Sequence, residues 1–189
     1  MKNSEKPTVN KVATKETKNN IVPPSADAAA NLKELFIDNL KDIYWAENTL
    51  VNTLPKMAAN ATSTNLSSTI LEHLSQTENQ IARLEKVFEL LGEKPEGKKC
   101  EAMAGLLKEG DSILESTEPG PVRDAGIIAA SQKIEHYEIA TYGTLAAFAK
   151  ALGENDAAKL LTQTLAEEKE ADCLLNDVAL NLVNTTAAE

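Results

Sequence analysis

Apolar residues return at alternating spacings of three and four along four long stretches of this chain, the period of a helix that turns one face to a core. In the first stretch Phe36, Leu40, Ile43, Leu50, Leu54 and Met57 trace the stripe, from an N-cap expected near Asp27 to a stop around Asn60. Pro55 lies inside it, removes one backbone donor and is expected to kink the last turns. The second stretch carries Ile70, Leu74, Ile81, Leu84, Phe88 and Leu91, with Gly92 as a natural C′ residue. The third opens at Pro121 and closes near Leu152 and Gly153, with Ile127, Ile134, Thr141 and Phe148 interleaved with Ser131, Glu138, Leu145 and Leu152. The fourth follows a cap at Asn155 or Asp156 and carries Leu161, Leu165, Leu175 and Ala179, with fraying expected after about Asn184.

Short loops join the first stretch to the second and the third to the fourth, which makes two antiparallel hairpins. Residues 93–120 form a long connection that contains Pro95, Gly97, an amphipathic piece from about Cys100 to Leu114, and Glu118-Pro119-Gly120. The pattern predicts an all-α, ferritin-like four-helix bundle over residues 27–184, with a short extra helix in its crossover and a frayed end over 185–189. Residues 1–26 have almost no apolar content and read as a flexible tail.

Composition adds limits. Aromatic residues are only 4% of the 189, and Gly and Pro lie mostly between the periodic segments, as an all-helical protein requires. A net charge of −10 repels phosphate backbones, so no nucleic-acid partner is expected. No run approaches the roughly 20 apolar residues of a membrane span, and the amino terminus lacks a signal-peptide core, so the expected setting is the cytoplasm, without a membrane partner. Cys100 and Cys173 have neither metal-type spacing nor a disulfide pattern; Cys173 reads as a buried small hydrophobe.

Sliding the chain on itself by 91 positions superposes Ile43 on Ile134, Glu47 on Glu138, Leu54 on Leu145, Leu74 on Leu165 and Leu84 on Leu175 without a gap. The same shift matches Gln76 to Glu167, Thr77 to Glu168 and Ile81 to Asp172, so the second hairpin holds more acid than the first.

Those acids break the stripes. Glu47, Glu138, Glu168 and Asp172 stand on the seams of the first, third and fourth helices, where a lone ionised carboxylate costs several kcal/mol. It must be neutralised, paired or bound to a cation. If the acids converge at one level they make an oxygen-rich site for iron or manganese, of the kind bundles build as carboxylate-bridged metal pairs, with His73 as the nearby nitrogen. Glu135, one turn before Glu138, and Glu167, matched to Gln76, are further candidate metal ligands. Protonated acids hydrogen-bonded to Thr77 and the tyrosines are the structural alternative. The usual ferritin-like site has Glu followed three residues later by His on two helices, and this chain has no such pair. His136 reads as a surface residue, and Tyr44, Trp45, Tyr137 and Tyr142 read as packing residues with a polar handle.

Several short motifs carry a family resemblance. They are Asp42-Ile43-Tyr44 with Ala46-Glu47, His73-Leu74 with Gln76-Thr77, Cys100-Glu101-Ala102-Met103, Arg123-Asp124-Ala125, Glu135-His136-Tyr137-Glu138-Ile139-Ala140, and Glu167-Glu168 with Asp172. From about Leu32 to Asn184 the chain resembles the YciE/YciF family of ferritin-like bacterial stress proteins. The resemblance implies a homodimer linked to osmotic or oxidative stress, with a dinuclear metal centre similar to that of rubrerythrin-like proteins. Members of that family usually have Glu where this chain has Gln76, a change that weakens a metal site although an amide oxygen still coordinates. The function expected is therefore a di-iron or di-manganese centre that reacts with peroxide or oxygen, a metal-dependent oxidoreductase of peroxidase or catalase type. The alternative is a non-enzymatic structural or partner-binding bundle.

Overall fold

The computed structural model describes residues 22–188, so the tail expected over 1–26 lies, up to position 21, outside the described residues. The chain forms α1 (Leu32–Asn60), α2 (Thr64–Leu91), α3 (Glu101–Ser116), α4 (Pro121–Ala151) and α5 (Asn155–Val178). A π-helical turn (Ala179–Val183) and α6 (Asn184–Ala187) continue α5. Among the described residues there is no strand, and no helix is long and apolar enough to cross a membrane.

Helix α1 starts at Leu32 and not near Asp27, because the cap is Asn31. Its side chain accepts from the Glu34 amide (3.0 Å), while the Glu34 carboxylate reaches back to the Ala30 amide (2.7 Å). This reciprocal arrangement satisfies two donors at the helix start. The helix then runs through exposed Pro55 to Asn60. At the other end of the chain, Asn184–Ala187, where fraying is expected, forms the short α6 without a buried residue, and Ala179 and Val183 before it are buried against the bundle. Those apolar anchors hold the π-helical turn to the bundle.

Direction is set by Asp124 in the first turn of α4. Its buried carboxylate accepts from the amides of Thr62 and Ser63 (2.7 Å each) and from the Thr62 hydroxyl (2.6 Å), all in the α1–α2 loop. The start of α4 therefore lies at the end of α1, and the two run antiparallel. Helix α1 packs on α2 and α4, α5 packs on the same two, and α3 lies across α4 and α1. The order up, down, down, up with one long crossover is the ferritin-like bundle.

The crossover helix sits close because glycines let it. A Cβ at Gly110 would lie 2.5 Å from the Met57 methyl, and one at Gly126 would lie 2.6 Å from Ile113 Cγ2. The internal echo is visible in burial: Phe36 and Ile127, Ile43 and Ile134, Leu54 and Leu145, Ile70 and Leu161, and Leu84 and Leu175 are buried pairs related by the same shift of 91. The two hairpins are quasi-equivalent halves of one core.

Asp124→Ala removes a buried carboxylate that serves three donors, and is expected to lower stability by about 3 kcal/mol. Urea unfolding should show the midpoint falling with an unchanged slope.

Candidate metal centre

Helix α4 is packed by α1, α3 and α5, so two of its residues one turn apart, Glu135 and Glu138, both face inward and are buried. On α2, which lies between α1 and α5, the centre of the buried face runs through Leu66, Ile70, His73, Thr77, Gln80 and Leu84. Leu74 and Ile81 lie beside it, half-buried. On α5 the buried row is Leu161, Thr164, Glu168, Ala171 and Leu175. These three rows bring one ligand atom each from His73, Glu135, Glu138 and Glu168 within 4.8 Å of one another.

The other expected ligands take different places. Glu47 on α1 is fully buried but stands outside that group of four. The Tyr142 hydroxyl donates to its Oε1, so this tyrosine packs with its polar handle on the acid. Asp172 is one row away from Glu168, half-buried, where it accepts from Gln132 Nε2 (3.2 Å) and faces His136 Nε2 (3.5 Å). His136 is exposed, as its place off the stripe predicts. Glu167 is held by Arg83 through two bonds of 2.8 Å, and by Gln80 (3.3 Å) and Gln163 (3.1 Å). Cys173 is exposed and not buried, because the residue after Asp172 turns a further 100° away from the seam.

Arg83 and Gln80 are not among the expected ligands. Their signal is spacing: Gln76, Gln80 and Arg83 recur at four and three residues, one polar row along α2.

Both oxygens of Glu138 and Glu168, Oε2 of Glu47 and of Glu135, and both nitrogens of His73 are buried without a hydrogen-bond partner in the protein, and His73 Nε2 faces Glu135 Oε1 at 3.5 Å. Burial, reinforced by their mutual charge, pushes the carboxyls of Glu47, Glu138 and Glu168 well above the usual range. Burial pushes Glu135 up to about 8 and holds His73 below its ordinary value. Glu167 differs: burial would raise it, but the bonds from Arg83 and Gln163 outweigh this and lower it. Acids in this state are neutral, or they bind a cation. Carboxylates with one imidazole form a donor set that fits iron or manganese, and the unpartnered atoms are the ones such an ion would satisfy. Between α2, α4 and α5 a cavity of about 30 Å³ touches His73 and Glu135, beside Gln76 and Ser131. It has room for at least one water molecule.

Residues 31–188 match the model of a family described as a domain of unknown function, DUF892. The chain belongs to the DUF892 family. Protein YciF of Escherichia coli K12 is 47% identical over 157 residues, 82% of this chain and 95% of that protein. The crystal structure described as that of the E. coli stress protein YciF superposes with a TM-score of 0.79 at 46% identity, covering 82% of this chain and 99% of that one. YcfI from Rhodopseudomonas palustris, described as a candidate structural protein, gives 0.76 at 46% identity over 79% and 96% of the two chains. A protein from Xanthomonas campestris shares the fold, with a TM-score of 0.67 at 23% identity over 84% and 97%. The resemblance carried by the short motifs therefore extends through the bundle of this DUF892 chain.

The raised acids give the metal-free DUF892 bundle a definite pH dependence. Folded carboxyls keep protons that the unfolded chain releases near 4.5, so stability is full below that value and falls as pH rises toward about 8, where Glu135 titrates. Melting in chelator should give a lower Tm at about pH 8 than at about pH 5, and Glu138→Gln, neutral throughout, should shrink the difference.

Proposed function

We propose that this chain is a stress protein whose buried His73, Glu135, Glu138 and Glu168 bind iron or manganese, with Glu47 alongside, and that the centre reacts with peroxide or oxygen. The carrying observation is the set of buried carboxylate and imidazole atoms that converge within 4.8 Å and lack hydrogen-bond partners. When bound, such an ion supplies redox chemistry toward a small oxidant. The protein's own residues do the rest. The carboxyls of Glu138 and Glu168 give up protons as they take on the ion, and Tyr142 fixes Glu47 by donating to it. The cavity beside His73 and Glu135 has room for a small oxidant such as peroxide or oxygen. The description of E. coli YciF as a stress protein supports the setting, and a cytoplasmic homodimer is the assembly this reading expects.

Metal analysis of protein purified without chelator, alongside Glu138→Ala and Glu168→Ala, tests the reading. Metal is expected in the parent chain and lost in both variants, and peroxide turnover of the iron-loaded protein should fall at least about tenfold in Glu138→Ala. Unchanged turnover in that variant would sink the proposal.

One observation favours a second reading, a structural bundle with neutral core acids. Helix α2 offers Thr77 and Gln80 at the level where α1, α4 and α5 offer glutamates, and YcfI is described in structural terms. A ligand that binds only the folded state must stabilise it, so manganese at about a hundred times its Kd should raise Tm by roughly 5–10 °C under the first reading and leave it unchanged under the second.

A further inference from the structure

The quasi-equivalence of the two hairpins defines a second location beside the metal-binding group, and its residues are different. Moving by 91 positions takes His73 to Thr164 and, in the other direction, Glu138 to Glu47, Glu168 to Thr77 and Glu135 to Tyr44. The counterpart set thus has one carboxylate where the first has three, and no imidazole. Its hydroxyls are also committed elsewhere: Tyr44 donates to Glu85 (3.0 Å) and Thr77 to the His73 carbonyl (3.0 Å).

A cation already stands there. Arg83 NH1 donates to the Thr164 hydroxyl (2.6 Å), the counterpart of His73, and the two ends of its guanidinium grip Glu167 at 2.8 Å each. The side chain is only 12% exposed. Its charge also acts on Glu47, the one carboxylate of the counterpart set, where it opposes the rise caused by burial.

Resting on the metal-binding reading above, we propose that the centre holds one divalent cation, on His73, Glu135, Glu138 and Glu168, and that the guanidinium of Arg83 occupies the place of a second. The dinuclear centre implied by the family resemblance does not fit this chain. A guanidinium stays charged at every accessible pH, and its fork is matched to the Glu167 carboxylate, so it is not displaced by deprotonation. A second dication beside it would meet like-charge repulsion, and Glu47 is the one carboxylate of the counterpart set, the other core glutamates being those that hold the first ion. Arg83 is in this sense a positioning and charge-balancing residue, not a ligand.

Manganese titration of the full chain, read by metal analysis after desalting and by electron paramagnetic resonance, tests the count. One ion per chain with the hyperfine pattern of an isolated ion is expected. Two ions per chain with the spectrum of a coupled pair would overturn the inference while leaving the metal-binding reading intact; no ion at saturating manganese would overturn both. Arg83→Met, checked for helix content by circular dichroism, frees Glu167 and removes the charge, so its ratio should move from one toward two, whereas Arg83→Lys should stay at one. A folded Arg83→Met that still binds a single ion would show that Arg83 does not hold the second place.

Discussion

Glu47, Glu135, Glu138 and Glu168 share a space closed to solvent, and that concentration of acid is the constraint on which the rest of the bundle depends. Each carboxylate taken out of water costs several kcal/mol unless something replaces its hydration, and like charges at these separations add to the cost. Three replacements serve the acids: the neutral form that burial favours, the Tyr142 hydroxyl on Glu47, and a guanidinium at the edge. A fourth, a metal ion, suits the atoms that the first three leave without partners.

Holding such a site requires a frame that does not relax to let water in. The long crossover places α4 in contact with α1, α3 and α5, so a helix carrying two core glutamates is covered on every side that matters. Asp124 pins the beginning of α4 to the α1–α2 loop, and the glycine contacts of α3 with α1 and α4 close the outer wall. The fold and the chemistry are linked here: the same packing that raises the acids' pKa values also fixes their mutual distances.

The two halves have the same backbone phase and different chemistry. The first hairpin supplies the imidazole of His73 and the guanidinium of Arg83, and the second supplies Glu135, Glu138 and Glu168, so a quasi-symmetric scaffold holds an asymmetric centre. Kinship with YciF, a described stress protein, covers the whole bundle, which places these differences within a shared frame.

The helical period, the short loops and the shift of 91 follow from sequence alone, because they depend on residues a few positions apart or on one register between two hairpins. Glu47, Glu138 and Glu168 are legible for the same reason: each stands in an apolar stripe, and a stripe is a local property. What periodicity leaves open is which neighbouring row becomes the centre of a helix's buried face, since that depends on how many other helices cover it. Asp172 and Glu135 are both one step from a core glutamate, yet packing on three sides buries Glu135 and leaves Asp172 at the seam's edge beside His136. His73 joins the cluster and Glu167 is taken by Arg83 through contacts between residues more than sixty positions apart. The sequence by itself determined the bundle and the presence of acid inside it; only the tertiary structure decided which acids meet, because convergence is a relation between helices and not a property of any one of them.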